Sequence, residues 1–337
     1  RATRNLMMEF GCEAAKDADL RQKGVRILIE ATGSTRQELI RAAVIMLQIS
    51  GDQRPVVVLT SVSPSDEEAF LERYPATDLA VHIIWHRQTA SQVFEERCAD
   101  VPDFAIFALP TDEETLEAAE RFWMRHQMID ARVLACLQGD SDAVNMKSLS
   151  KKKRDFAIKS LLEYGLGSKD PLEPDIEQRA KICHAIYFKN EKAKNPSYGT
   201  NPTDIAEDWY GLAERLRESN RLAAMHNEIK RHAWQTKNDS TSLEMLVHLS
   251  RCEHMRWMAE KAMDGWRWSG SGDKLTRDND KLKHHLLVPY DSLESPEKDK
   301  DYNAFLWALD IPDEKLNSLN LSEESKRMVK FAKEIKK

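Results

Sequence analysis

The chain of 337 residues lacks several features that would assign it quickly. No apolar run approaches the roughly 20 residues that span a bilayer. The five cysteines, Cys12, Cys98, Cys136, Cys183 and Cys252, lie far apart with no CxxC pair, which excludes a zinc ribbon and fits reduced thiols in a cytoplasmic protein. With a net charge of −6 there is no basic excess, so no nucleic-acid partner is expected. A nucleophile elbow, an HExxH pair and the kinase motifs are all missing, which makes an enzyme the weaker class. No charged-then-apolar leader follows Arg1, so the expectation is a chain without a signal peptide, from which an upstream piece, a membrane domain among the options, has been removed.

What is present is an ordinary globular composition, 41% hydrophobic and 31% charged, in a chain too long for one core. From Gly24 onward short β-rich runs alternate with amphipathic stretches of helix length, the pattern of a parallel sheet covered by helices. Strands are expected at Val25–Glu30, Pro55–Thr60, Leu79–Trp85, Asp103–Leu109 and Ala131–Leu137, buried on both faces. The helix after Leu109 is the clearest. Thr111 or Asp112 caps it, Glu113 and Glu114 suit its first turn, and Leu116, Ala119, Phe122 and Trp123 form its apolar stripe.

Ligands of such sheets sit beyond the carboxyl ends of the strands, so the turn Ala31-Thr32-Gly33-Ser34-Thr35 is the first candidate. It is no dinucleotide fingerprint, because only one of three glycines is present and the second strand ends in Thr60-Ser61 rather than an acid. Gly33 and Ser34 are the positions that would meet a cofactor, but Ser34 reads first as a helix cap. The run from Phe104 to Leu116, FAIFALPTDEETL, together with the strand order, resembles the TrkA/RCK nucleotide-binding domains that regulate ion channels and transporters. That resemblance implies a domain that binds nicotinamide or adenine nucleotides and dimerises; the missing glycine loop and acid argue against the cofactor here and leave pairing into a homo-oligomer and scaffolding, with no cofactor assigned.

After Gln138-Gly139-Asp140-Ser141-Asp142 the β-type runs stop, and a basic run, Lys151 to Arg154, follows as a solvated helix start. Beyond it the sequence reads as all-α and repeats itself. Around His184 the order is His184, Tyr187, a loop with Asn195-Pro-Ser-Tyr-Gly199, then Trp209-Tyr-Gly-Leu212. Around His254 it is His254, Trp257, a longer loop, then Pro289-Tyr290-Asp-Ser-Leu293. Each histidine stands three residues before an aromatic, on one helix face. The second copy, with Glu253-His254-x-x-Trp257, Gly265-Trp266-x-Trp268, Arg277-Asp278, His284 and Leu287-Val-Pro-Tyr290, resembles the ryanodine-receptor (RyR) repeat; the first matches it only through its His and Trp-x-x-Leu positions. The boundaries read as an N-terminal helix or linker (1–22), a Rossmann-like domain (23–148), a connector (149–173), two repeats (174–236 and 237–312) and a C-terminal helix (313–337).

Trp257, Trp266 and Trp268 are three of eight tryptophans, and Arg277, Lys281, Lys283 and His284 follow them closely. Flat rings and cations suit a nucleotide, since stacking a base on an indole contributes about 1–3 kcal/mol and arginine adds charge-assisted hydrogen bonds to phosphate. The RyR resemblance implies an adenine-nucleotide-like ligand as well. Against this stands the same cluster acting as a small aromatic core. Trp257 is expected in that core, Trp266 shared, and Trp268 and Arg277 on the ligand, with Lys281, His284, Tyr290, His254 and, from the first copy, Trp209 as further candidates. His184, His254, His82 and His86 have no companions at metal spacing and read as buried, hydrogen-bonded histidines. Ser269 to Lys274 reads as a flexible loop. The expectation is a cytoplasmic sensor of a nucleotide-derived second messenger, in the manner of bacterial antiviral defence, signalling to a missing output domain. The alternatives are a nucleotide-processing enzyme using Glu253 and His254, or a scaffold whose aromatic surface docks a partner.

Overall fold

A computed structural model describes residues 2–96, 101–125, 131–139, 156–161, 173–192, 208–236 and 242–335. Six parallel strands form one sheet: β1 (Arg26–Ala31), β2 (Val56–Leu59), β3 (His82–Trp85), β4 (Phe104–Ala108), β5 (Arg132–Leu137) and β6 (Phe156–Ser160). Their order is β3-β2-β1-β4-β5-β6, that of a doubly wound Rossmann-type sheet with its switch point between β1 and β4. The register is continuous, with Ile29 opposite both Leu59 and Ile106. Four of the five expected strands have strongly buried patterns because two faces are covered. β3 departs from expectation: its position at the sheet edge leaves it half-buried and leaves His82 exposed. β6, paired with β5 from Val133↔Phe156 to Leu137↔Ser160, lies inside the stretch assigned to a connector.

The helices are α1 (Ala2–Ala14), α2 (Ala18–Lys23), α3 (Gly33–Met46), α4 (Pro64–Arg73), α5 (Ala90–Glu96) and α6 (Asp112–Arg125) in the first half. In the second half they are α7 (Glu173–Lys192), α8 (Glu214–Gln235), α9 (Ser242–Met263), α10 (Ser295–Phe305), α11 (Asp313–Ser318) and α12 (Glu323–Ile335). α6 begins with a capping box: Glu114 N–H donates to Thr111 Oγ1 at 3.2 Å, and Thr111 N–H donates back to Glu114 Oε2 at 3.2 Å. Leu116, Ala119 and Phe122 form its buried stripe as expected.

The sheet and the helical half share one core. Leu6, Met7 and Phe10 of α1, Ile40 and Val44 of α3, Met225 and Ile229 of α8 and Leu246 of α9 belong to one contiguous cluster. α1 is therefore an internal element and not a linker, with Phe10 stacked on Phe104 of β4 at 4.8 Å. Gly11 marks a close approach: a Cβ there would lie 2.5 Å from Ile229 Cδ1 and 3.0 Å from the Met46 carbonyl, so any larger residue must push the Ile229 side chain and the end of α3 aside. Polar ties cross the same boundary. Arg41 of α3 donates to the Met263 carbonyl at 2.5 Å and to Asp264 at 2.6 Å, and His248 of α9 bonds the Ile49 carbonyl at 2.9 Å. The Lys151–Arg154 run and the Asn195–Gly199 loop lie outside the described residues. Among the described residues no helix is long and apolar enough to cross a membrane.

Candidate functional site

α9 ends in a Schellman motif that fixes the site's geometry. Gly265, at φ +82°, turns the chain back so that Trp266 N–H donates to the Lys261 carbonyl and Gly265 N–H to the Ala262 carbonyl, both at 3.0 Å. That turn folds Trp266 against Met258 and Leu287, where it is 5% exposed. The expectation that Trp266 is shared with a ligand is thereby corrected: the reversal tucks its ring into the core. Trp257, expected inside, is half-buried instead.

From there the rings form a chain. His284 meets Trp266 edge-on at 5.8 Å and Trp257 at 4.9 Å; His254 stacks on Trp257 at 5.8 Å and meets Tyr290 at 6.0 Å. Five expected site residues thus come together. His254 Nε2 bonds the Val288 carbonyl at 2.8 Å while its Nδ1 stands 3.5 Å from Asp301 Oδ2. Burial opposes charge on this ring, but the Asp301 carboxylate and the Val288 carbonyl outweigh it and raise its pKa above the ordinary value. Tyr290 donates to or accepts from Ser250 Oγ at 2.9 Å, with the Arg251 guanidinium over its ring at 5.1 Å.

Trp268 and Arg277 border this chain on the solvent side. Trp268, 47% exposed, sits on the two-residue strand β7 (Arg267–Trp268), opposite His284 on β8 (Lys283–His284). Arg277 is exposed, its Nε on Asn279 Oδ1 at 3.0 Å, and its charge reaches His284. The intervening loop carries its own hydrogen bonds, Ser269 Oγ to Thr276 Oγ1 at 2.7 Å and Leu275 N–H to Asp273 Oδ1 at 2.9 Å.

Two expected members do not join. Lys281 is 73% exposed and pairs with Asp278, turned away by the tight turn that Asp278 caps. Trp209 lies in a separate cluster with Ile182, Ile186, Ala224 and Trp307, beside His184, whose Nε2 bonds Asp208 at 2.8 Å. The shared core excludes it from the second copy's face.

Sequence reasoning misses an ion network behind the site. Lys230 Nζ donates to Glu253 Oε2 at 2.6 Å and meets His226 Nδ1 at 2.8 Å; Arg256 bridges Glu253 Oε1 at 2.9 Å and Glu260 Oε2 at 2.7 Å. All five side chains are essentially inaccessible. Burial works against charge on Glu253, yet Arg256 and Lys230 hold its pKa below the usual carboxylate range, so both oxygens are engaged and it is no partner for His254 in acid–base work. The signal was the spacing Glu253, Arg256, Glu260, which is identical on an exposed face.

At the sheet's carboxyl edge several polar groups bond one another, while the buried Thr60 Oγ1 has no hydrogen-bond partner among the described residues. Thr32, not Ser34, stands at the N-cap of α3, without a side-chain bond, and the helix starts at Gly33 (φ +55°), two residues earlier than a cap at Ser34 implies. Glu30 accepts from Ala90 N–H at 2.8 Å and Ser61 Oγ at 3.0 Å, and Arg36 donates to the Ala31 and Ser61 carbonyls at 2.5 and 2.9 Å. Asp112 accepts from the amides of Gln138 and Gly139 at 2.7 and 3.1 Å. The chain's own carboxylates thus take amides at the helix start and loop where such sheets present donors to phosphate. Among the described residues no cluster of metal-ligating side chains occurs. No family model, no curated protein and no solved structure matches this chain.

Proposed function

We propose that this chain is a ligand sensor whose helical half, read as two RyR-type repeats, binds a nucleotide-derived small molecule. The base stacks on Trp268 and the open side of Trp257, and Arg277 serves its phosphates. The observation that carries the reading is the ring chain Tyr290–His254–Trp257–His284–Trp266 ending beside an exposed tryptophan and an arginine. The Rossmann-like sheet, read as a TrkA/RCK-like scaffold, supports pairing into a homo-oligomer and passes the signal to a cytoplasmic or membrane-attached output. Coupling has a route: the bonds from Arg41 to Met263 and Asp264 tie α9's end to α3, so a ligand that shifts that end biases the sheet side.

The test is a thermal-shift screen against linear and cyclic adenine nucleotides, cyclic ADP-ribose and NAD. Ligand at a hundredfold above its dissociation constant adds about 2.7 kcal/mol, several degrees for a chain of this size. A second reading, a partner-docking scaffold, draws on Trp268 and Leu275, 47% and 90% exposed at the two ends of one loop. It predicts no response to any nucleotide.

A further inference from the structure

Leu275 is 90% exposed, yet the loop that carries it is braced from within. Ser269 Oγ meets Thr276 Oγ1 at 2.7 Å and ties the two arms together, while Thr276 Oγ1 also lies 2.6 Å from the Asp273 carbonyl and Leu275 N–H donates to Asp273 Oδ1 at 2.9 Å. The loop thus holds a leucine out in water, where it gains almost no packing of its own. At the loop's foot the register of β7 on β8 sets Arg267 beside Lys283, two exposed cations that repel each other. Neither of them, nor Lys274 next to Leu275, has a carboxylate within ion-pair distance among the described residues. From Arg267 to Lys283 five cations stand against three acids, and two of those acids, Asp273 and Asp278, accept N–H groups of the loop itself.

α4 carries the opposite surface. A shallow groove of about 610 Å³ runs along it, lined by Pro64, Glu67, Glu68, Leu71, Glu72 and Arg87. Arg87 pairs with Glu67. Glu68 and Glu72, exposed and one helical turn apart, have no cation within ion-pair distance among the described residues and repel each other, with Leu71 beside them 46% exposed. The two surfaces are neighbours: a Cβ on Gly265 would lie 3.5 Å from the Arg73 carbonyl at the end of α4, and Leu79, six residues further on, packs with Trp266. A basic loop with an exposed leucine therefore stands next to an acidic groove with an exposed leucine, and within one chain their charges are not paired.

We infer that this face docks a second copy of this chain, the Leu275 loop of each copy entering the α4 groove of the other. Leu275 meets Leu71, and Arg267 and Lys283 meet Glu68 and Glu72, so that each like-charged pair is relieved by the opposite one. Because the two patches are neighbours, a two-fold axis between them makes both contacts at once and the assembly closes as a dimer. A loop in a groove buries little area, so the dimer is weak and reversible. The inference uses neither Trp268 nor Arg277 and stands whether or not a nucleotide binds.

Sedimentation velocity of the whole chain from about 1 to about 300 µM covers the affinities of such contacts. The expected result is a monomer–dimer equilibrium that weakens as salt rises from about 0.1 to about 1 M and the screening length falls from about 10 to about 3 Å. The double variant Glu68→Lys, Glu72→Lys and the double variant Arg267→Glu, Lys283→Glu are each expected to be monomeric, and an equimolar mixture of the two to dimerise again, since every basic patch then meets an acidic one. All four positions are exposed, so the fold is kept. Leu275→Ser weakens the dimer at least about tenfold. A monomer at every concentration, a dimer that withstands both charge reversals, or a mixture that stays monomeric overturns the inference. Growth into open chains upholds the docking and overturns the two-fold closure.

Discussion

Lys230 Nζ lies 2.6 Å from Glu253 Oε2, with the two side chains only 1% and 4% exposed. Removing one member of such a pair strands the other charge away from water, at a cost of about 3–5 kcal/mol. Glu253 holds Arg256 as well, so Glu253→Gln is expected to destabilise the fold at least as much as Lys230→Met, whose loss leaves Glu253 paired with Arg256. Urea denaturation of the two variants checks this. A loss under about 1 kcal/mol for Glu253→Gln would contradict the network's role.

The neighbouring tryptophans separate structure from binding. Trp266, packed with Met258 and Leu287, costs about 3–5 kcal/mol when truncated to alanine. Trp268, half in solvent, costs under about 1 kcal/mol but weakens ligand binding roughly 5- to 150-fold, the equivalent of about 1–3 kcal/mol of stacking. Chemical denaturation and titration together decide the point. Equal stability losses would show that the exposed indole is also core.

His226 sets a pH dependence. Its pKa is lowered well below the ordinary value by burial first, then by Lys230 and Arg256. The unfolded chain takes up a proton near pH 6.5 that the folded chain refuses, so the stability this neutral ring provides is complete above pH 6.5 and is lost as pH falls below it, at up to about 1.4 kcal/mol per unit. His248 and His284 act in the same direction, while His254, raised by Asp301 and Val288, adds stability at low pH that fades as pH rises through its folded value. Stability measured from pH 7.5 to 5 should decline, and His226→Gln should flatten the decline by about one proton. A flat profile in the unmutated chain would count against the buried neutral ring.

The sheet's carboxyl edge supplies a negative prediction. Gly33→Ala costs about 1 kcal/mol through its positive φ and leaves every ligand response unchanged, because the proposed site lies on the ring chain of the helical half and Glu30 and Asp112 place carboxylates at the sheet's carboxyl edge. A nucleotide response abolished by this substitution would move the site from the helical half to the sheet.

The sheet is legible in the sequence because runs such as Val56–Leu59 and Phe104–Ala108 are apolar without interruption, as strands covered on both faces must be. β6, FAIKS, is not: it is short, ends in a lysine and a serine, and follows a basic run, so only its pairing with β5 makes it a strand. The ring chain is half legible. Spacing on α9 places His254 above Trp257, but Trp266's burial follows from the turn at Gly265 and His285's from stacking on His284. The Lys230 network is illegible, since i,i+3 and i,i+4 charge spacing marks solvated faces as readily as buried ones, and only the packing of α8 on α9, and of α9 on α3, decides between them. The fused core was hidden for the same reason: Gly11 and Ile229 are 218 residues apart, and nothing local announces that they touch.

The most direct test of the account is calorimetric titration of the nucleotide giving the largest thermal shift into four forms of the protein: unmutated, Trp268→Ala, Arg277→Ala and Gly33→Ala. The account predicts tight binding in the unmutated and Gly33→Ala chains and at least fivefold weaker binding in the other two, all four remaining folded. Equal affinity in all four, or binding lost only in Gly33→Ala, would contradict a nucleotide site in the helical half.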